Sequence, residues 1–429
     1  MLLESARSGS STGRWSIAAS DPFLVFEAKG RKIKIARGSK KTCLTADPFT
    51  VLKKILRENS ASQENSTLPF AGGAVGYVGY EAKNLIEPGL PQKTGDDLKL
   101  PDLFFMFFDK GIVWDHTKKE SVFFGPDLET VRALEKKAGL SDKKPPVPRK
   151  KRVKKNIRVS LSKLEFMRAV EAAKRYIKKG DIYQANLSRR LSFELGEESF
   201  EIYRRLRKIN PSSFFGFLDS GEFQILSGSP ERLLKLEDGI LETRPIAGTR
   251  SRGRNARHDA AQASELLLSP KERAEHIMLV DLERNDLGRV AEYGSVRVDE
   301  LMTLEDYSHV KHIVSSVRGR LKKGSDAVDA FKAFFPGGTI TGVPKVRCME
   351  IIDELEPIAR GPYTGSLGYF SFTGNMDFNI IIRSLVVKDG RGYLQTGAGI
   401  VADSIPKKEY EETNHKAEAV LQAVFGDSR

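Results

Sequence analysis

Residues 162–180 read SKLEFMRAVEAAKRYIKKG and contain the signals of one complete amphipathic helix. Ser162, followed three residues later by Glu165, forms a capping box that pairs two N–H groups at a helix start. Apolar residues then recur at helical spacing, namely Phe166, Val170, Ala173 and Ile177. Gly180 supplies the stop signal. The stretch therefore predicts a helix at the start of the longer, C-terminal part of the chain.

Downstream of this helix, β-prone and helical stretches follow one another irregularly. Strands are predicted around 214–218 and 223–226, a second helical stretch covers about 257–283, and a terminal helix runs from about 406 to 425. No regular βαβ alternation is visible. This pattern favours an α+β fold with large antiparallel or mixed sheets.

Upstream, a stretch rich in Pro and Lys at 141–157 divides the chain. We predict an N-terminal lobe at 1–140, a basic linker at 141–157 and a C-terminal catalytic region at 158–427. Within the lobe, the apolar run at 103–108 suits a strand that is buried on both faces.

The formal net charge of +13 over 429 residues raises the question of nucleic-acid binding. Much of the excess lies in 141–157, a stretch that contains three prolines and no aromatic residue for base stacking. We therefore expect a solvated linker and no nucleic-acid partner.

Several classes of protein are disfavoured by simple counts. No stretch approaches the roughly 20 consecutive apolar residues that span a bilayer, and the N-terminus lacks the basic and apolar regions of a signal peptide. We expect a cytoplasmic protein without a membrane partner. The two cysteines, Cys43 and Cys348, have the spacing of neither a disulfide framework nor a zinc site.

Two pairs of glutamates occur at helical spacing. Glu272 and Glu275 are three residues apart, as are Glu409 and Glu412, so each pair lies on one face of a predicted helix. Four carboxylates brought together would need a hard cation, for which Mg2+ is suited. Solvated helix faces are the alternative interpretation of the same spacing.

Two further features suit an anionic ligand. The glycine-rich stretches at 335–345 and 396–400 offer backbone N–H groups and hydroxyls, although tight turns with close packing would use the same residues. Arg383 lies within an apolar, β-prone run at 379–387, where a guanidinium needs a carboxylate partner unless it is exposed at a strand edge.

Long motifs, dense from about 160 to 425, resemble the chorismate-utilising enzymes, a family that includes anthranilate, aminodeoxychorismate, isochorismate and salicylate synthases. The motifs are GDIYQ (180–184), SPER (229–232), RPIAGTR (244–250), AEHIMLVDLERND (274–286), YSHVKHIVS (307–315), the glycine loop and AGIVADS (398–404). The resemblance implies layered antiparallel sheets flanked by helices. It also implies chorismate as substrate and Mg2+ as cofactor.

The resemblance assigns the acidic residues. Glu275 and Glu412 match glutamates that hold Mg2+ against the ring carboxylate of chorismate, with Glu272 and Glu409 in support. Glu231 matches the general acid that protonates the departing C4 hydroxyl, a role that needs a raised pKa.

Other matched residues bind or surround the substrate. Tyr363 and Arg383 match residues that bind the enolpyruvyl carboxylate, and Gly397 and Lys416 match other carboxylate contacts. Two more residues match positions that line the ring near the acid, His312 and Thr339.

One position indicates the nucleophile. Family members that add water carry a lysine as base where this chain has Gln184, and a neutral amide cannot abstract a proton. Ammonia is therefore the expected nucleophile. Neither cysteine lies on the Gly-x-Cys-x-Gly elbow of a glutaminase, so a separate glutamine amidotransferase subunit is the expected ammonia source.

Two products remain open within the resemblance. The loop PGGTITG (336–342), with YQANL (183–187) and DFNI (377–380), favours 4-amino-4-deoxychorismate for para-aminobenzoate and folate synthesis. Ala247 favours anthranilate instead, because many enzymes of the first branch have a lysine there that is proposed to attack C2. The segment at 2–5 resembles the tryptophan-binding segment of anthranilate synthases, but related segments occur in both branches.

Overall fold

The computed structural model describes residues 1–5, 13–60, 68–90, 94–139, 156–251, 255–306 and 310–426. Its strands are β1 (Leu2–Glu4), β2 (Trp15–Ala18), β3 (Leu24–Lys29), β4 (Lys32–Arg37), β5 (Lys40–Thr45), β6 (Gly73–Val78), β7 (Leu103–Phe108), β8 (Gly111–Asp115), β9 (Glu120–Phe124), β10 (Arg158–Val159), β11 (Gln184–Glu194), β12 (Phe214–Asp219), β13 (Phe223–Ser229), β14 (Arg232–Glu237), β15 (Ile240–Thr243), β16 (Ile246–Ser251), β17 (Arg297–Asp306), β18 (Val310–Arg320), β19 (Gly342–Val343), β20 (Ser366–Ser371), β21 (Met376–Asn379), β22 (Ser384–Lys388) and β23 (Arg391–Ile400). Its α-helices are α1 (Pro48–Glu58), α2 (Lys83–Ile86), α3 (Leu128–Gly139), α4 (Lys163–Lys178), α5 (Ser199–Ile209), α6 (Ala256–Leu268), α7 (Pro270–Gly288), α8 (Ala327–Phe334), α9 (Lys345–Leu355) and α10 (Pro406–Phe425).

The strands form two sheets. Sheet A has the order β10-β11-β23-β22-β13-β12-β1-β2-β8-β9, with β19 beside β11. Sheet B has the order β16-β18-β15-β14-β21-β20-β6-β7-β3-β4-β5, with β17 beside β18. Every pair of these strands is antiparallel, which confirms the predicted α+β class.

The two sheets pack face to face, and helices cover their outer faces. Between the sheets, the Phe223 ring lies 5.8 Å from that of Tyr77 and 5.3 Å from that of Phe104. On sheet A, α4, α5 and α10 bury apolar residues, and on sheet B, α1, α7 and α8 do the same. Among the described residues, no helix is both long and apolar enough to cross a membrane.

Strands from both sides of 141–157 share each sheet. In sheet A, β1 pairs with β12, and in sheet B, β6 pairs with β20 along six residues. Residues 140–155 lie outside the described ranges, so the predicted linker stays a prediction. The same holds for the lobe boundaries that it defines.

The helices and the buried strand predicted from the sequence can be compared directly with the structure. The capping box of Ser162 and Glu165 starts α4 as predicted, the terminal helix is α10, and the run at 103–108 is the fully buried β7. The helical stretch predicted at about 257–283 is helical in the structure, where it is divided into α6 and α7. The division lies at Ser269, which caps α7, and Pro270, which takes the first position of α7.

Candidate active site

Two predicted site residues lie where the chain passes between the sheets. Glu231 follows β13 of sheet A and precedes β14 of sheet B, and Arg383 lies between β21 of sheet B and β22 of sheet A. Arg383 was expected inside a β-prone run, but it lies just before β22 with a positive φ of 51°. Both crossovers bring polar side chains to one region at the edge of the sheet interface.

Glu231 is a buried carboxyl with one hydroxyl donor. Thr339 Oγ1 donates to Glu231 Oε1 over 2.8 Å, and the Ile380 amide donates to the Glu231 carbonyl over 3.0 Å. Burial raises the pKa of Glu231 to about 7, although the Thr339 hydrogen bond and the charges of Lys416 and Arg383 act to lower it. The structure therefore brings four predicted residues within electrostatic reach of one another and keeps the acid partly protonated near neutral pH.

The glycine-rich loop holds Thr339 by close packing. A Cβ at Gly338 would lie 1.9 Å from Leu282 Cδ2 of α7, so a larger residue there would displace the Leu282 side chain. The Thr341 hydroxyl is used inside the loop, where it donates to the Gly337 carbonyl over 2.5 Å. Of the two loop hydroxyls, Thr339 thus points to the predicted acid and Thr341 to the loop itself.

Lys416, Gly397 and Tyr363 form a neighbouring group. Lys416 Nζ donates to the Gly397 carbonyl over 3.1 Å and pairs with Glu412 Oε1 at 2.7 Å. A Cβ at Gly397 would lie 2.8 Å from Tyr363 Oη and 2.5 Å from Asn186 Oδ1. Burial raises the pKa of Tyr363, so its hydroxyl stays a donor.

Gln184 lies on β11 beside this group. Its side-chain Nε2 atom lies 2.7 Å from the position of a Cβ at Gly399. Its backbone carbonyl accepts a hydrogen bond from Cys348 Sγ at 3.0 Å. Its Oε1 atom is buried and has no hydrogen-bond partner among the described residues. The same is true of Asn186 Oδ1, a residue that the sequence interpretation did not select.

His312 belongs to a second group, on sheet B. Its Nδ1 atom lies 3.0 Å from the Gly248 carbonyl, so this nitrogen carries the proton. A Cβ at Gly248 would lie 3.0 Å from Glu272 Oε2, and Glu272 Oε1 pairs with Arg250 at 3.2 Å. The structure thus places His312 near Glu272, on the side of α7 that faces β16 and β18.

The four predicted metal ligands are on two helices, as expected from their spacing. Glu272 and Glu275 are on α7, and Glu409 and Glu412 are on α10. In the described part of the chain, the structure assembles no group of three or more His, Cys, Asp or Glu side chains that could hold a metal ion. Carboxylates are nevertheless the protein ligands that Mg2+ prefers, and one or two of them with waters are sufficient.

A buried carboxyl that the sequence interpretation missed is Glu283 on α7. Burial raises its pKa to about 8, with a further contribution from Asp286 and a small one from Glu231, while Lys345 and a Thr243 hydrogen bond act to lower it. The sequence spacing could have indicated Glu283, because this residue is two turns after Glu275 on the same helical face. Glu231 therefore lies close enough to this second buried acid to raise its pKa.

A separate cavity lies outside the group of predicted site residues. It measures about 280 Å³ and lies between β1 and the ends of β14 and β20. Charged side chains line much of it, among them Glu4, Arg14, Arg232, Lys235 and Asp377. None of the predicted site residues contributes to its wall.

Comparison with known proteins gives one consistent result. A family model described as chorismate binding enzyme matches residues 7–422. Aminodeoxychorismate synthase component 1 of Bacillus subtilis (strain 168) is 44% identical over 434 residues, which cover 99% of this chain and 91% of the relative. Anthranilate synthase component 1 of Acetivibrio thermocellus is 43% identical over 442 residues, which cover 99% of this chain and 89% of the relative.

A solved structure agrees at the level of the fold. The crystal structure of anthranilate synthase component I from Streptococcus pneumoniae TIGR4 superposes with a TM-score of 0.85 and 36% sequence identity. The match covers 96% of this chain and 93% of that one. The two synthase names occur among relatives of nearly equal similarity, so similarity alone does not separate their two reactions.

Proposed function

Because this chain belongs to the family of chorismate-binding enzymes, we propose that it adds ammonia to chorismate with loss of the C4 hydroxyl as water. The proposed product is 4-amino-4-deoxychorismate, the precursor of para-aminobenzoate in folate synthesis. The observation that carries the proposal is the buried Glu231, which accepts a hydrogen bond from Thr339 and has a pKa of about 7. Such a group can donate a proton to a leaving hydroxyl at neutral pH.

The cations around Glu231 suit a dianionic substrate. Arg383 and Lys416 both act on the Glu231 carboxyl, and the neutral Tyr363 hydroxyl lies beside Gly397. We assign Tyr363 and Arg383 to the enolpyruvyl carboxylate and Lys416 to a second carboxylate contact, because fixed cations and donors bind carboxylates strongly when buried.

The four glutamates of α7 and α10 fit a divalent cation by their chemistry. Bound by Glu275 and Glu412, with Glu272 and Glu409 in support, Mg2+ would neutralise the ring carboxylate. Two of these carboxylates have cationic partners, Arg250 for Glu272 and Lys416 for Glu412.

The nucleophile follows from Gln184. Its amide cannot take a proton from water, whereas ammonia attacks through its own lone pair and needs no base to form the C–N bond. Since the chain has no glutaminase motif, we propose that a separate glutamine amidotransferase subunit supplies ammonia.

Anthranilate is the second candidate product, and one observation favours it. Ala247 is buried on β16 opposite Ile313, so no amine is present at this position to attack C2. Direct addition of ammonia at C2 with loss of the C4 hydroxyl as water, followed by loss of pyruvate, would then give anthranilate.

The products distinguish the two candidates. Purified protein is incubated with chorismate, Mg2+ and ammonium chloride, with and without an added aminodeoxychorismate lyase. We expect para-aminobenzoate only when the lyase is present, and a much slower reaction with Glu231→Gln. Fluorescent anthranilate formed without the lyase would contradict the proposed product.

A further inference from the structure

The inner face of sheet A contains a continuous line of polar side chains. Gln184, Asn186, Ser188 and Arg190 alternate along β11, so they point to one side, and Gln395 of β23 lies opposite Arg190. Gln395 Nε2 donates to Ser188 Oγ over 2.8 Å, which joins the two strands. We call these five residues the polar row.

Three side-chain oxygens of the polar row accept no hydrogen bond from the described residues. Gln184 Oε1, Asn186 Oδ1 and Gln395 Oε1 have no partner among the described residues, and the three residues are only 6%, 9% and 5% exposed. Leaving a buried polar atom without a hydrogen bond is destabilising. The three acceptors in one line therefore offer hydrogen-bonding sites to a small donor molecule.

A narrow cavity follows the outer half of the polar row. It is lined by Tyr363 at its inner end, then by Gln395, and by Arg190 and Leu98 at its outer end. Its volume is about 10 Å³, which is room for roughly one water-sized molecule. At the outer end, Arg190 forms an ion pair with Asp97, whose side chain is half exposed to solvent. The row therefore runs from the surface to the residues assigned to chorismate.

We propose that the polar row is the path by which ammonia reaches bound chorismate from the surface near Asp97. The proposal rests on the function proposed above. Ammonia has the size of a water molecule and three N–H donors, which match the row of amide oxygens. It reaches Gln184 at the inner end, beside Gly399.

The charges along the cavity are balanced by ion pairs. Arg190 and Arg360 line the cavity, and each pairs with a carboxylate, Arg190 with Asp97 and Arg360 with Glu356. No carboxylate is among the described residues that line the cavity, so nothing in its wall attracts a cation. The cavity therefore suits neutral ammonia, the form that has the nucleophilic lone pair.

The test compares two nitrogen sources in one complex. The chain is co-purified with its glutaminase subunit, and amination of chorismate is measured with glutamine or with ammonium chloride. In Gln395→Leu we expect glutamine-dependent amination to fall about tenfold while glutamate release continues, and ammonium-dependent amination at saturation to stay within about twofold. Gln395→Met repeats the test with a more flexible side chain, and thermal unfolding verifies that both variants are folded.

Thr396→Val is the matched control. Thr396 is the next residue of β23, its buried Oγ1 also lacks a partner among the described residues, and it points to the opposite face of sheet A. We expect it to leave both nitrogen sources equally effective. Equal loss with both sources in Gln395→Leu and Gln395→Met, or no loss with either, would overturn the path. A wild-type complex that aminates chorismate with neither source would instead overturn the proposed function.

Discussion

Burial of the Glu231 carboxyl is energetically unfavourable, and its surroundings indicate the function that it serves. A carboxyl whose pKa is raised by burial is suited to a site that needs a protonated acid near neutral pH. Thr339 and two nearby cations restrain that rise, so the proton remains transferable. The residue is thus balanced between holding and releasing a proton.

Removal of this proton should slow the amination step strongly and leave the affinity for chorismate nearly unchanged. For Glu231→Gln we expect kcat to fall by about 10²- to 10⁴-fold, because a positioned general acid contributes about that much. The dissociation constant of chorismate, measured by calorimetry, should change little. A variant with near wild-type kcat would show that another group protonates the leaving hydroxyl.

The pH dependence should report the same group. In the free enzyme Glu231 is active when protonated, so kcat/KM should fall as pH rises above about 7. The Thr339 hydrogen bond stabilises the charged carboxylate and lowers its pKa, so Thr339→Val should move this limb to higher pH. Thr341→Val is the control, because that hydroxyl bonds to Gly337 within the same loop. A limb that moves to lower pH in Thr339→Val would contradict the assignment.

At the level of elements, α7 links the sheet-B group to the acid. Its N-cap is Ser269, whose hydroxyl accepts from the Glu272 amide over 3.4 Å, and the next turn contains Glu275. The helix continues to Glu283, near Glu231. The start of α7 therefore positions two of the proposed metal ligands.

Loss of the Ser269 cap should weaken Mg2+ binding without lowering activity at saturating Mg2+. Ser269→Ala should cost about 1 kcal/mol of helix stability and raise the Mg2+ concentration for half-maximal activity up to about fivefold, with kcat at saturating Mg2+ retained. Ser162→Ala removes the comparable cap of α4, which holds no proposed ligand, and should leave the Mg2+ requirement unchanged. An equal shift in both variants would indicate general destabilisation.

Helices were predictable from the sequence because their signals are local. The capping box at Ser162 and the spacing of Glu272 and Glu275 both lie within one turn. The break between α6 and α7 was predictable too, since Ser269 and Pro270 form a helix-start signal.

The polar row shows what local patterns miss. Polar residues at alternate positions of a strand, here Gln184, Asn186 and Ser188, normally indicate a solvent-exposed face. In this fold a second sheet covers that face, and nothing in β11 itself reveals it. The contact between Glu231 and Thr339, 108 residues apart, is equally nonlocal, and only the family resemblance grouped the two.

At the scale of the whole molecule, each sheet is completed by strands from both ends of the chain. β20 is buried along its whole length and has β6 as one neighbour, and β12 has β1. The region after the predicted linker therefore has two sheet edges that are normally covered.

A fragment of residues 156–429 should consequently not fold on its own. Without the N-terminal strands it exposes the apolar edge at β20, which favours aggregation. We expect it to be insoluble or to lack a cooperative thermal transition by circular dichroism, whereas the full chain unfolds cooperatively. A soluble fragment that aminates chorismate would contradict this view and would support two independent lobes.

The central claim is that chorismate binds at the crossover of the two sheets, with its C4 hydroxyl at Glu231. A crystal structure of Glu231→Gln with chorismate and Mg2+ tests it most directly. We predict the C4 oxygen within hydrogen-bond distance of residue 231, a carboxylate at Arg383, and the ring carboxylate on Mg2+ between Glu275 and Glu412. Chorismate bound in the charged cavity beside β1, away from residue 231 and Arg383, would contradict the account.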